Sequence, residues 1–147
     1  MTGWEILQHI WRLQNAVFRD ATPCLERHGL FRMAPFVLAM VKTWATPSAI
    51  AAALGLPLPT LSHILRRLEE EGWVSRRIDP ADRRRHRFSL THSGERVLQE
   101  ARGCLAAAME GYVARLDERE QVELLRLLGE MLDENRGEKN RERQPVQ

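Results

Sequence analysis

Two periodicities divide the chain. From Trp4 to Leu68, and again from Val97 to Leu132, apolar residues recur at spacings of three and four, as on helices with one buried face. Between these stretches, Val74 to Ile78 and Arg87 to Leu90 alternate in twos and flank a turn rich in arginine. The expected fold class is therefore mainly α with one small β-hairpin (α+β).

The helices differ in how much of their surface is apolar. Over residues 3 to 28, Trp4, Leu7, Trp11, Gln14 and Phe18 form one stripe, and Ile6, Ile10, Leu13 and Val17 form another beside it. More than half the circumference is then apolar, so part of it should bury against something beyond its own core. Pro23 is expected to kink this helix or restart it near Cys24, and Gly29 to end it. A short helix from about Met33 to Thr43 follows, with Pro35 in its first turn. Thr46 as N-cap and Pro47 at the first helical position open the next helix, which turns Ile50, Ala53 and Leu54 inward and stops at Gly55. After a turn at Leu56 to Leu58, Leu61, Ile64, Leu65 and Leu68 face inward on a helix holding Pro59 in its first turn. That phase leaves Thr60, Ser62, His63, Arg66 and Arg67 facing outward. Thr91 caps a long helix reaching about residue 116. A last helix from Glu118 carries Val122, Leu125, Leu128, Met131 and Leu132, and frays at Asn135-Arg136-Gly137. Residues 137–147 have no apolar face and are expected to be disordered.

Charge adds a function to this layout. The chain carries a net +2. Between Arg76 and Arg87, however, six arginines face two aspartates, a local +4 that leaves the rest at −2. Two helices, a tight turn and a basic hairpin make a winged helix-turn-helix over residues 30–91, whose second helix enters the DNA major groove. Thr60, Ser62 and His63 can reach bases there, and Arg66 a guanine edge or a phosphate. Arg67 has an alternative, pairing with Glu70 or Glu71 along its own helix, while Glu69, Glu70 and Glu71 should point away from the duplex. For Arg83, Arg84, Arg85 and Arg87 the bland reading is a solvated charge run, but a hairpin tip after a helix-turn-helix suits a DNA contact better. Asp79 can bond its own downstream backbone, and Asp82 fits a structural partner that orients wing arginines.

These residues resemble the MarR family of bacterial transcriptional regulators. The family signature, D-x-R-x-x-x-x-x-L-T followed shortly by Gly, is met by Asp82, Arg84, Leu90, Thr91 and Gly94, and the stretch "LGLPLPTLSHILRRLEEEGWVSRRIDPADRRR" looks like its helix-turn-helix. Pro57 departs from it, standing where relatives often carry a serine N-cap. The resemblance implies that Arg84 enters the minor groove, where a guanidinium is drawn to the negative potential of narrow A·T-rich sequence. It also implies a homodimer joined through the terminal helices, residues 3–28 and 92–135, and hence a pseudo-palindromic operator. Family members commonly bind aromatic or phenolic effectors where dimer helices and winged part meet. Trp11, Phe18 and Trp44 are the candidates for that role, against ordinary core packing.

Enzymatic readings find no support. There is no P-loop, G-x-S-x-G or H-E-x-x-H motif. Cys24 and Cys104 have no framework spacing, which suits a reducing cytoplasm. Cys24 and His28 are four apart, the spacing of two metal ligands on one helix face, but no third or fourth ligand is apparent, so no metal or cofactor is expected. Relatives that sense oxidants use a cysteine near the start of the first helix, whereas Cys24 lies near its end. No signal peptide and no apolar run of ~18 residues is present. The expectation is a cytoplasmic, homodimeric, sequence-specific regulator of double-stranded DNA, a repressor released by a small aromatic or phenolic effector. Two alternatives stand beside it: a redox- or metal-responsive winged-helix regulator using Cys24, and a winged-helix protein-interaction module without DNA binding.

Overall fold

The computed structural model describes residues 2–132. The chain divides within its fifth helix, between Met109 and Glu110, into two compact units. The first holds α1 (Gly3–Arg27), α2 (Ala34–Thr43), α3 (Pro47–Leu54), α4 (Leu58–Glu70), β1 (Val74–Ile78), β2 (His86–Leu90) and most of α5 (His92–Val113). The second holds the end of α5 and α6 (Glu118–Leu132).

A capping box starts α1: Thr2 Oγ1 accepts the Glu5 N–H, and the Glu5 carboxylate accepts the Thr2 N–H at 2.7 Å. The helix then runs unbroken through Pro23, so it does not restart near Cys24 as one expectation had it. Proline removes one backbone bond, but Ala21 and Leu25 on either side are fully buried in the core, and their packing holds the helical path. His28 and Gly29, the latter at φ 73°, close the helix, and Leu30 donates its N–H to the Leu25 carbonyl.

α3 and α4 form the helix-turn-helix. Thr46 sits at the α3 N-cap with extended backbone, although its side chain makes no capping bond. Ile50 and Ala51 are buried and Leu54 is half-buried, whereas Ala53, expected inside, is exposed. The inward face of this two-turn helix is rotated by one position, because Ala51 lies against the core beside Ile50. Gly55, at φ 64°, turns the chain, and the Leu56 N–H reaches the Ala51 carbonyl. In α4 the apolar phase holds: Leu61, Ile64, Leu65 and Leu68 are all buried. They join Leu25, Leu38 and Leu98 in a single hydrophobic cluster.

β1 and β2 pair antiparallel, Val74 opposite Leu90 and Ile78 opposite His86. Only one face of the hairpin is covered, by Val74 and Phe88, so its outer half projects. Its base is tied down by backbone. Phe88 donates its N–H to the Ala45 carbonyl at 2.8 Å, and Thr91 donates to the Trp73 carbonyl at 3.0 Å. Thr91 Oγ1 donates to the Gly72 carbonyl and accepts the Gly94 N–H, capping α5 as expected. At Gly94 the helix passes so close to Trp73 that any Cβ would overlap the Trp73 carbonyl.

The cysteines overturn the expectation that they stand unpaired. Cys24 of α1 and Cys104 of α5, 80 residues apart in sequence, form a disulfide with their Cα atoms 5.6 Å apart. Spacing along the chain carried no sign of this, since the fold and not the sequence separation brings the two helices together. The cysteine count therefore gives no argument for a reducing compartment.

In the second unit, Asp117 and Glu120 form a reciprocal capping box at the start of α6, each bond 2.9 Å long. The Gln121 amide donates to the Val113 and Leu116 carbonyls and fixes the turn between the helices. Arg126 pairs with Glu123 and Glu130 on the polar face. The fraying expected at Asn135-Arg136-Gly137 and the disordered tail at 137–147 lie outside the described residues.

Candidate nucleic-acid interface

The outward face of α4 follows from the burial of its inward one. With Leu61, Ile64, Leu65 and Leu68 in the core, helical geometry turns Thr60, Ser62, His63, Arg66 and Arg67 to the surface, and all five are exposed. Pro57 stands at the N-cap, with no side-chain cap bond, and Pro59 lies in the first turn. Arg67 does not extend toward Glu70 or Glu71. Its guanidinium lies over the Phe31 ring, 4.1 Å from the centroid.

The wing brings a second set of cations beside this face. Arg83, Arg84, Arg85 and Arg87 are all exposed around the turn between the strands. Two aspartates shape that turn. Asp79, 7% exposed, accepts the Ala81 N–H at 2.9 Å through Oδ1 and the Arg87 Nε–H at 3.2 Å through Oδ2. The Ala81 bond is the main cause holding its carboxyl below the ordinary value of 3.8; burial opposes this, and Arg87 and Arg85 add to the lowering. Asp82 accepts the Arg84 N–H at 3.0 Å and lies 3.7 Å from Arg85 Nε. Two arginines are thus held by carboxylates. Among the described residues, Arg83 and Arg84 have no acidic partner.

Helix and wing share two clefts. One, of about 330 Å³, is lined by Ser62 and Leu58 of α4, Arg84, Arg85 and His86 of the wing, and Thr46, Pro47 and Ser48 at the start of α3. The other, of about 340 Å³, places Ser62 and Arg66 near Arg76, His86 and Glu69. Glu69, expected to point away from the duplex, is half-buried and pairs with Arg76 at 3.4 Å. The α3 N-terminal residues, Arg76 and His86 were not singled out by sequence reasoning. Their membership depends on three separate segments converging, and no local spacing signals that.

The three aromatic candidates for an effector site occupy separate settings. Phe18 is buried, its ring 5.1 Å from that of Phe36 and covered by Arg32. Trp44 is half-exposed at the C-cap of α2. Trp11 lines an apolar cleft of about 410 Å³ on α1 with Trp4, Leu7 and Gln8.

Comparison with known proteins agrees with this arrangement. A sequence profile of the MarR family matches residues 42–86, the stretch from the end of α2 to the wing. Over 74 residues, half of this chain, the sequence is 36% identical to the transcriptional regulator HosA of Escherichia coli O111:H-, and the match spans about half (55%) of HosA. A protein of Thauera aromatica, named as a transcriptional regulator for the hcr operon, is 30% identical over 130 residues, covering 84% of this chain and 76% of that protein. Among solved structures, wild-type MarR of E. coli in its apo form superposes with a TM-score of 0.78 at 22% identity, over 90% of this chain and 98% of that one. The MepR–DNA complex of Staphylococcus aureus superposes with a TM-score of 0.70 at 25% identity, over 90% and 97%. The fold is that of the MarR winged helix, and the chain belongs to the MarR family of transcriptional regulators.

Proposed function

We propose that this chain binds double-stranded DNA sequence-specifically as a homodimer and represses transcription until a small aromatic or phenolic effector releases it. One observation carries the reading: Ser62 on the outward face of α4 and Arg84 of the wing, which has no acidic partner among the described residues, line the same cleft. A protein-interaction wing has no need of that charge. A helix offering hydroxyl, imidazole and guanidinium groups suits base edges in the major groove. Arg84, extended from the wing tip, suits the minor groove beside it. The likeness to MepR captured on DNA supports the same assignment.

The homodimer rests on apolar surface. Trp4, Leu7 and Trp11 of α1 and, separately, Val122, Leu125, Met131 and Leu132 of α6 are all more than half exposed. Faces so apolar are unfavourable in water unless covered. A second copy of the chain covers faces of this kind by two-fold symmetry. It also walls the open side of the Trp4–Trp11 cleft, where stacking between indoles suits a flat aromatic effector. Two recognition helices about 34–36 Å apart then read half-sites about 10 bp apart. Such a regulator works in the cytoplasm; among the described residues no single helix is long and apolar enough to cross a membrane.

The test is fluorescence anisotropy on an operator duplex and a scrambled one at several salt concentrations. Arg84→Ala is expected to weaken operator binding by about 1–3 kcal/mol, most where the flanking groove is A·T-rich. Arg66→Ala changes the preferred half-site if the side chain reads a base. If it meets a phosphate, it weakens all duplexes alike and lowers the salt slope by about one. Operator binding by Arg84→Ala as tight as that of the parent across the salt range overturns the reading in favour of protein interaction.

A further inference from the structure

The disulfide has a chemical neighbourhood that a purely structural cross-link does not need. Cys24 and His28 stand four apart at the C-terminal end of α1, and Glu100 and Cys104 stand four apart on α5, so each helix offers two donors on one face. The ligand atoms of Cys24, His28 and Cys104 all lie within 4.8 Å of one another. His28 Nε2 lies 3.7 Å from the Glu100 carboxylate, so a further oxygen donor stands beside the imidazole at the edge of the cluster. Burial is graded. Cys104 is buried, Cys24 half-buried, and His28 and Glu100 are exposed at the mouth, which leaves a path from solvent to the sulfurs.

We propose that, once the disulfide is reduced, Cys24, His28, Glu100 and Cys104 bind one zinc ion. Two thiolates, an imidazole and a carboxylate form a borderline-soft set that suits Zn²⁺ and is poor for Mg²⁺ or Ca²⁺. Zinc–sulfur bonds of about 2.3 Å and a zinc–nitrogen bond of about 2.0 Å place tetrahedral neighbours about 3.5 Å apart. Once reduced, the two sulfurs must part from bonding distance to about 3.8 Å while the imidazole nitrogen closes from within 4.8 Å, side-chain movements of about one to two ångström. The disulfide and the metal exclude each other. A dithiol reductant transfers two electrons and two protons to the S–S bond, becoming a disulfide itself and leaving two thiols. Zn²⁺ then displaces both thiol protons to solvent as the Zn–S bonds form. Either state cross-links the end of α1 to α5, and the reduced, metal-free state lacks that cross-link. The site is independent of the DNA-binding reading, since none of its ligands lies on α4 or the wing.

Cobalt(II) is the probe. The full-length protein is reduced with dithiothreitol, separated from it without air, and titrated with Co²⁺. The expected result is one ion per chain, with a near-ultraviolet sulfur-to-cobalt charge-transfer band, the visible bands of a tetrahedral site, and bleaching by Zn²⁺. The oxidised protein is expected to give none of these. His28→Ala should weaken Co²⁺ binding at least tenfold, and Cys24→Ser should weaken the charge-transfer band, with far-ultraviolet circular dichroism confirming that each variant is folded. A folded, reduced chain that takes up no Co²⁺, or takes it up without the sulfur band, overturns the proposal. So does a folded Cys24→Ser variant with the parent's spectrum.

Discussion

Replacing Gly94 with alanine tests how the wing is anchored. A Cβ there would stand 1.9 Å from the Trp73 carbonyl oxygen and 2.9 Å from its carbon. Ordinary carbon–oxygen contact is about 3.3 Å, so the start of α5 and the Trp73 backbone must part by about 1.4 Å. Backbone cannot rotate aside as a side chain does. The same carbonyl accepts the Thr91 N–H, and Thr91 Oγ1 bridges the Gly72 carbonyl at 2.6 Å and the Gly94 N–H at 3.0 Å. Overpacking costs about 1–3 kcal/mol. Two or three strained hydrogen bonds cost about 1 kcal/mol each, and the better helix propensity of alanine returns about 1 kcal/mol. The net destabilisation is about 2–5 kcal/mol, a fall in Tm of roughly 4–20 °C. Thermal unfolding of the oxidised protein at fixed chain concentration measures it. Gly103→Ala is the internal control: it lies on the same helix with nothing within 4 Å of its added Cβ, and is expected to stabilise by about 0.5–1 kcal/mol. If Gly94→Ala unfolds within about 0.5 kcal/mol of the parent while the control stabilises, the close passage at Trp73 is not what holds α5 to the wing.

Two further outcomes follow from the same physics. The Asp79 carboxyl is held below its ordinary value of 3.8, so its support for the wing is complete above that value and is lost as pH falls through the lower, folded-state value. Carbon-13 titration of Asp79 should place its midpoint below 3.8, and amide exchange at Ala81 and Arg87 should quicken across the same interval; a midpoint at or above 3.8 contradicts the bonding at the turn. Trp4→Glu with Leu7→Glu should shift the protein toward monomer in sedimentation equilibrium and weaken operator binding in step with that shift, and an unchanged dimer removes α1 from the interface.

Much of the fold was legible because it is local. The helical phase of Leu61, Ile64, Leu65 and Leu68 names its own outward face, and that face emerged with Thr60, Ser62, His63, Arg66 and Arg67 exposed. The strand pair and its projecting arginines follow from alternation and turn chemistry, and Gly55 from its left-handed conformation. Where neighbours in space outweigh neighbours in sequence, local signals failed. Pro23 has an intrinsic tendency to break a helix, yet it sits between two core positions whose burial is worth more than one backbone bond. Ala53 has the spacing of a core residue, but the core lies on the side of Ala51. The ion pair of Glu69 had no local sign either, since the strand crossing beside it supplies Arg76 as the partner. The cysteine pair shows the same division most sharply. The sequence by itself determined that two thiols, an imidazole and a carboxylate exist; whether they meet was decided by the packing of α1 against α5. Secondary structure and surface charge are properties of short stretches read at fixed periods, whereas a site built from two helices 80 residues apart exists only once the chain has folded.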